Sequence, residues 1–303
     1  MSRPHILSLL LFLLLAPPVA RSSPNKHCPC LSWGCQPACP CACPCPCGDQ
    51  SLCGPLTSAK PAPPAGELEV FAFHAHLYNE SGDAAHPRSG AQNFESYPWA
   101  NLSTVAIYTG VGNDTNGTWT PELLCTAHKH KVRVVLGCGG QWTAGPWTAA
   151  NIGNPAKRAS LIKQYIDSAV LYGLDGLSLD VEYDGSKRSA AWYAQHSELL
   201  TTFACELKQT IKNLSYVPDT FRVSFTSDVL PTASADRFDY KGLAECIDFF
   251  TPMAYHTPIK SLADGVSQYK ALGVPPSKLI LAWAWFASPS SSPNHLFLSP
   301  FLA

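Results

Sequence analysis

From about residue 68 onward, short apolar runs alternate with longer stretches in which apolar residues recur every three or four positions. Short apolar runs bounded by turn residues predict buried strands, and the longer period predicts amphipathic helices. The predicted strands are 68–74, 104–108, 132–136, 174–182, 223–227, 249–255 and 279–285. The clearest helices between them are 121–130, 155–172 and 189–211.

Strands that alternate with helices in this way predict one all-parallel sheet, which is either an open doubly wound sheet or a closed barrel. Polar residues stand at the carboxyl ends of several strands, where barrel enzymes build their sites. A dinucleotide-binding fold would have a glycine-rich turn after the first strand, and Phe73-His74-Ala75-His76 has none. We therefore predict an α/β protein with a TIM (β/α)8-type barrel.

The most informative strand is 174–182, because it carries two carboxylates two residues apart. Alternation places Ser178, Asp180 and Glu182 on one face, and the apolar Leu177, Leu179 and Val181 on the other. A strand covered by helices buries its apolar face, so both acids should point into the barrel. Two carboxylates at such a short distance do not ionise independently. One of them is expected to keep its proton and act as an acid. The alternative, solvated acids in a turn, fits the clean alternation poorly.

The composition sets limits on the partners and cofactors. Lys and Arg number 21 against 22 Asp and Glu, and no basic cluster indicates a nucleic-acid partner. The pairs His74/His76 and His128/His130 have no third ligand nearby, so we predict no metal and no other cofactor. After the third strand, Trp142 and Trp147 are predicted to contact substrate.

The first 66 residues differ from the rest of the chain. An apolar run at 6–20 behind Arg3 predicts a signal peptide over residues 1–22, entry into the secretory route and no membrane span. Nine of the 13 cysteines lie between Cys28 and Cys53, which predicts a disulfide-linked Cys/Pro-rich segment over 23–66; a metal-binding tail is the alternative. The glycosylation sequons, which agree with secretion, are at Asn79, Asn101, Asn113, Asn116 and Asn213.

Four segments together resemble one enzyme family. The motif Asp175-Gly176-x-Ser178-x-Asp180-x-Glu182 resembles the D-G-x-D-x-D-x-E signature of glycoside hydrolase family 18, the chitinase family. In the family's order, 134–140 resembles its S-x-G-G strand end, 247–255 its M-x-Y strand, and 278–286 the strand that ends near a substrate-facing aromatic residue.

The resemblance implies retaining hydrolysis of β-1,4 bonds between N-acetylglucosamine units, in which the substrate's own 2-acetamido group attacks. Glu182 would protonate the glycosidic oxygen, Asp180 would hold the acetamido N–H, and Tyr255 would aim the acetamido oxygen. The resemblance also implies a set of substrate-binding residues, namely Met253, Trp285, Ser178 and Gly139. The expected partners are N-acetylglucosamine oligosaccharides, such as the chitobiose core of N-glycans and chitin oligomers. A monomer is expected in the lysosome, and the alternative location is outside the cell.

Several positions depart from the family pattern. His256 stands where the family usually has Asp after the Tyr, and Gly137 replaces a small hydroxyl residue. After Trp285 the chain becomes a Ser/Pro/Leu-rich tail over 288–303 with no eighth strand, so we expect a barrel over 67–287 that lacks its last βα unit and has two unpaired edges. Activity would then be reduced. One alternative is a divergent but complete domain. The other is a non-catalytic carbohydrate-binding protein, and the presence of Glu182 argues against it.

Overall fold

The computed structural model describes residues 69–74, 94, 97–107, 121–183, 187–254, 260–280 and 282. The predicted signal peptide, the Cys/Pro-rich segment and the 288–303 tail lie outside these residues. The strands are β1 (Phe71–His74), β2 (Thr104–Ile107), β3 (Arg133–Gln141), β4 (Gly176–Glu182), β5 (Arg222–Asp228) and β6 (Phe249–Met253). The helices are α1 (Pro121–Lys129), α2 (Ala149–Ile152), α3 (Pro155–Leu171), α4 (Ala190–Asn213), α5 (Tyr240–Cys246) and α6 (Lys260–Ala271).

The six strands form one parallel sheet in the order of the chain, β1-β2-β3-β4-β5-β6. This confirms the predicted parallel sheet and excludes a doubly wound order, in which the chain would return past its first strand. Strand β3 is longer than predicted, because its glycine-rich end pairs with β4 as far as Gln141 opposite Glu182. Glycine weakens the strand signal in a sequence, and pairing with β4 overrides that weakness.

The seventh predicted strand is present only as isolated parallel bridges in the described residues. Leu279 pairs with Phe250, and Ala282 pairs with both Met253 on β6 and Phe71 on β1. The segment therefore lies between the last and the first strand of the sheet. The expectation of two unpaired edges is wrong at this point, because Ala282 joins both ends of the curled sheet.

The sheet curls around an apolar layer at its amino-terminal end. Inward side chains from five of the seven segments form this layer, namely Phe71, Ala106, Val135, Phe249 and Ile280. The outward side chains pack under the helices in a separate, larger core. The curvature follows from the right-handed twist that parallel strands accumulate, and the apolar layer fills the space that the curvature encloses.

The register of the sheet is fixed by a repeated contact at the same end. In three strand pairs, the residue directly before the even-numbered strand accepts a hydrogen bond from a backbone N–H at the start of the preceding strand or just before it. The pairs are Val70 to Ser103 Oγ (3.3 Å), Val134 to Asp175 Oδ2 (2.7 Å) and Val223 to Asp248 Oδ2 (2.7 Å). A slip of one residue would turn every inward side chain outward, so these contacts also fix which residues reach the opposite end.

The helices on the outside of β3, β4 and β5 are held together by covalent and ionic links. Cys205 on α4 forms a disulfide with Cys246 on α5. The Arg158 guanidinium on α3 donates two hydrogen bonds to the Glu206 carboxylate on α4, at 2.8 and 2.6 Å. None of the helices in the described part of the chain combines the length and apolar character needed to cross a membrane.

Candidate active site

The acid strand β4 shows the predicted separation of its two faces. Leu177, Leu179 and Val181 are buried in the core beneath the helices. Along the inward face, exposure increases toward the carboxyl end: Ser178 is fully buried, Asp180 is half-buried and Glu182 is exposed. Glu182 is therefore the carboxyl group of this strand that a substrate can reach most easily.

Asp175, the first acid of the signature, lies at the opposite end of the strand and is buried. Its carboxylate accepts hydrogen bonds from the Val134 backbone N–H at 2.7 Å and pairs with His128 Nε2 at 2.9 Å. These contacts place Asp175 in the register-fixing set and give it a structural role. They also give the buried His128 a structural partner.

The glycine of the signature is required by a close approach between strands. A Cβ at Gly176 would lie 2.1 Å from the backbone oxygen of Arg222 on β5. No side chain fits at that distance. Gly176 therefore allows β4 and β5 to pair at their amino-terminal ends, and the acids follow from this register.

Strand β3 pairs with β4 as far as the carboxyl end of β4 and holds that end in place. Gly139 is opposite Asp180, and Gln141 is opposite Glu182. The backbone N–H of Trp142 donates to the backbone oxygen of Glu182 at 3.1 Å, so the backbone of Glu182 is fixed although its side chain is exposed. The exposed Gly139 leaves the inner face beside Asp180 without a side chain.

A row of buried hydroxyl groups lies below Asp180. Ser178 Oγ is 3.5 Å from Thr226 Oγ1 on β5, and Thr251 Oγ1 on β6 donates to Thr226 Oγ1 at 3.3 Å. Ser178 was predicted to bind substrate, but it is fully buried and its contact is with Thr226. The hydroxyl row links three strands directly beneath the carboxylates.

Two polar residues at the carboxyl ends of strands were missed in the sequence. Gln141 lies beside Glu182 on β3, and Asp228 is the last residue of β5, opposite Met253 on β6. The signal for Asp228 was present, because alternation from Ser224 through Thr226 leads to it. The strand was predicted to end at Ser227, so Asp228 was assigned to the following loop.

The structure brings together part of the predicted site. Asp180, Glu182, Gly139 and Met253 lie at the carboxyl ends of β3, β4 and β6. Tyr255, His256 and Trp285 lie outside the described residues.

The prediction that two tryptophans contact substrate is wrong. Trp147 is completely buried, and its ring packs against Tyr165 of α3 and Phe203 of α4. Trp142 is also buried and packs against His196 of α4. The chain after β3 turns outward over the helices rather than across the end of the barrel, and periodicity in a sequence does not reveal the direction of such a loop.

The free thiol of Cys138, among the described residues, is not a nucleophile. Cys138 lies on the outward face of β3 and is buried, and burial, with a smaller contribution from the charge of Asp180, raises the pKa of its thiol. A thiol in that state is not ionised near neutral pH and does not attack substrates.

Comparisons with known proteins agree with the sequence motifs. Residues 88–295 match the family described as glycosyl hydrolases family 18. Di-N-acetylchitobiase of Mus musculus is 27% identical over 263 residues, covering 82% of this chain and 58% of the relative. Di-N-acetylchitobiase of Homo sapiens is 26% identical, covering 82% of this chain and 56% of the relative. The chain thus spans just over half the length of these curated relatives.

Among solved structures, an immunomodulatory active chitinase from Trichuris suis superposes with a TM-score of 0.52 at 14% identity, covering 71% of this chain and 65% of that chain. A likeness at this identity shows the shared fold. The family match covers more than half of the chain and includes the strand that carries the two acids. The chain therefore belongs to glycosyl hydrolase family 18.

Proposed function

We propose that this protein is a glycoside hydrolase that cleaves β-1,4 bonds between N-acetylglucosamine units by substrate-assisted, retaining catalysis. The observation that carries the proposal is the placement of Asp180 and Glu182 at successive inward positions at the carboxyl end of β4, with Glu182 exposed and Asp180 half-buried. This is the end of a parallel barrel at which catalytic groups stand.

In the proposed reaction, Glu182 donates its proton to the glycosidic oxygen as the bond to the sugar carbon breaks. The carbonyl oxygen of the substrate's 2-acetamido group forms a bond to that carbon, giving a cyclic oxazolinium ion. Asp180 accepts a hydrogen bond from the acetamido N–H and stabilises the positive charge that develops. Water then opens the ring, and the ionised Glu182 takes the proton from that water. The configuration at the sugar carbon is retained.

The remaining residues are assigned supporting roles. Tyr255 is proposed to hold the acetamido oxygen, while Met253, Gly139 and Trp285 are proposed to contact the sugar. Ser178, buried beneath Asp180, is proposed to position that carboxylate through the hydroxyl row rather than to touch substrate.

The proposed substrates are N-acetylglucosamine oligomers, such as the chitobiose core of N-glycans and chitin fragments, because the family and the di-N-acetylchitobiase relatives point to this sugar. We propose the catalytic domain at 67–287, a signal peptide at 1–22, and a location in the secretory pathway and lysosome. Two of the sequons lie within the described residues, and both Asn101 and Asn213 are exposed, as glycosylation requires.

The experiment compares two fluorogenic substrates that differ only in the substituent at carbon 2 of each sugar. The purified full chain is incubated at acidic pH with a methylumbelliferyl chitobioside, and with the matching cellobioside, which has a hydroxyl in place of each acetamido group. We expect fluorophore release from the chitobioside alone, because only that substrate carries the attacking group. Equal cleavage of both would contradict substrate assistance. Binding of chitobiose without cleavage would contradict the hydrolase and identify a carbohydrate-binding protein.

A further inference from the structure

Asp228, at the end of β5, faces the inside of the sheet. The hydroxyl of the residue before it, Ser227, lies 2.6 Å from the hydroxyl of Tyr269 on α6, so Ser227 is on the outer, helix-covered face. One position earlier, Thr226 contacts the inward hydroxyl of Thr251. Side chains alternate along a strand, and Asp228 therefore shares the inner face with Thr226.

Asp228 also lies level with Met253 and Glu182, two residues proposed to contact or act on the sugar, along the axis of the sheet. On one side it is opposite Met253 of β6. On the other side, the register that pairs Leu179 with Phe225 puts Glu182 opposite Asp228 when it is continued along both strands. The pairing of β4 with β5 itself ends at Leu179, three residues before Glu182, so no backbone ladder fills the space between the two carboxyl groups.

The carboxylate of Asp228 has no hydrogen-bond or ion-pair partner among the described residues, although its backbone oxygen accepts a hydrogen bond from Tyr269. The side chain is half-buried. An ionised carboxylate can only accept hydrogen bonds, so that of Asp228 can take donors that no described residue supplies. A ligand that brings hydroxyl groups to this position would supply them.

We infer that Asp228 is a substrate-binding residue that accepts a hydrogen bond from a hydroxyl of the sugar bound over β4 and β5. The inference rests on the proposed function and makes it more specific. Asp180 is already assigned the acetamido N–H, which leaves sugar hydroxyls as the donors for Asp228. A fixed negative charge at this position also disfavours sugars that carry carboxylate groups, so the substrates are neutral N-acetylated oligosaccharides.

The test measures binding and turnover separately for Asp228→Ala and Asp228→Asn in the full chain. The matched control is Asp219→Asn, which removes the same charge from an exposed residue just before the other end of β5. For Asp228→Ala we expect KM for the chitobioside to rise about tenfold to a hundredfold, with kcat changed less than about threefold and an unchanged Tm, as the loss of a charged hydrogen bond predicts. Asp228→Asn keeps an acceptor oxygen and should recover part of this loss.

A binding arm keeps this inference separate from the proposed function. The affinity for tri-N-acetylchitotriose is measured by calorimetry on Glu182→Gln, with and without Asp228→Ala, so that turnover does not interfere. Weaker binding of the double variant supports the inference even if the wild-type chain hydrolyses nothing. Unchanged KM and unchanged affinity overturn it and leave the hydrolase proposal standing. A chain that neither binds nor cleaves the oligosaccharide overturns both.

Discussion

Asp175 and Glu182 carry the same chemical group at opposite ends of one strand, and their surroundings give them different roles. Asp175 is buried and holds two partners from other segments, while Glu182 is exposed with only its backbone fixed. A motif in a sequence presents both as acids of one signature. The strand direction separates them, because the amino end of a parallel barrel serves stability and the carboxyl end serves chemistry.

Asp175→Ala should lower the free energy of unfolding by about 3–5 kcal/mol, because it removes the carboxylate that contacts the buried His128 and accepts from the Val134 N–H. Chemical denaturation measures the loss, and Asp264→Ala on the exposed face of α6 is the control. The molecules that remain folded should keep the kcat of the wild type. A loss of kcat without a loss of stability would contradict the structural role.

At the scale of elements, α3 and α4 cover β4 from the outside and are joined by one largely buried cation. Arg158 is 6% exposed, and besides its two bonds to Glu206 it donates to the Ile152 backbone oxygen at 2.6 Å. The hydrogen bonds from Arg158 lower the pKa of Glu206. These two helices hold the outer face of the acid strand, so their contact supports the site from behind.

The lowered pKa of Glu206 determines how the stability of the fold depends on pH. A carboxyl group whose pKa is lower in the folded state stabilises the fold above its unfolded pKa of about 4.3, and this stabilisation is lost as the pH falls through the folded value. Glu206→Gln should cost about 1–2 kcal/mol at pH 7, toward the lower end because Glu206 is partly exposed. The difference in Tm between the two proteins should shrink as the pH is lowered below about 4. An equal difference at pH 7 and pH 3 would contradict this contribution of the ion pair.

Helices and strands with a regular spacing of apolar residues were predicted from the sequence almost to their ends. Helix α3 was expected at 155–172 and spans Pro155–Leu171, with its N-cap Asn154 accepting from the first backbone N–H groups. Strand β4 was expected at 174–182 and spans Gly176–Glu182. The end of β3 and the positions of Trp142 and Trp147 were not predicted, because a glycine-rich strand is stabilised by its neighbours and a loop's direction depends on the helices it meets.

At the scale of the whole molecule, the described sheet joins its first and last segments through Ala282. The inward side chain of Ile280 belongs to the same apolar layer as Phe71 of β1 and Phe249 of β6. The sequence indicated a barrel from the order of strands and helices. It could not show that the seventh segment would meet the first strand, because that contact depends on the accumulated twist of the sheet.

The prediction for the whole molecule tests this closure. Ile280→Asp should lower the free energy of unfolding by about 3 kcal/mol or more, because it buries a carboxylate in an apolar layer. Ala263→Asp, on the exposed side of α6, should be nearly neutral. Thermal unfolding followed by circular dichroism measures both. If Ile280→Asp proved as harmless as the control, the segment would not be packed between β6 and β1.

The most direct test of the account is the turnover of Glu182→Gln on the chitobioside, measured beside Glu198→Gln, which makes the same change at an exposed position on α4. Glutamine keeps the shape of the side chain but cannot give up a proton, so kcat should fall about a hundredfold to ten-thousandfold with an unchanged Tm. Glu198→Gln should match the wild type. A Glu182→Gln protein that turns over as fast as the wild type would contradict the assignment of Glu182 as the acid, and with it the proposed mechanism.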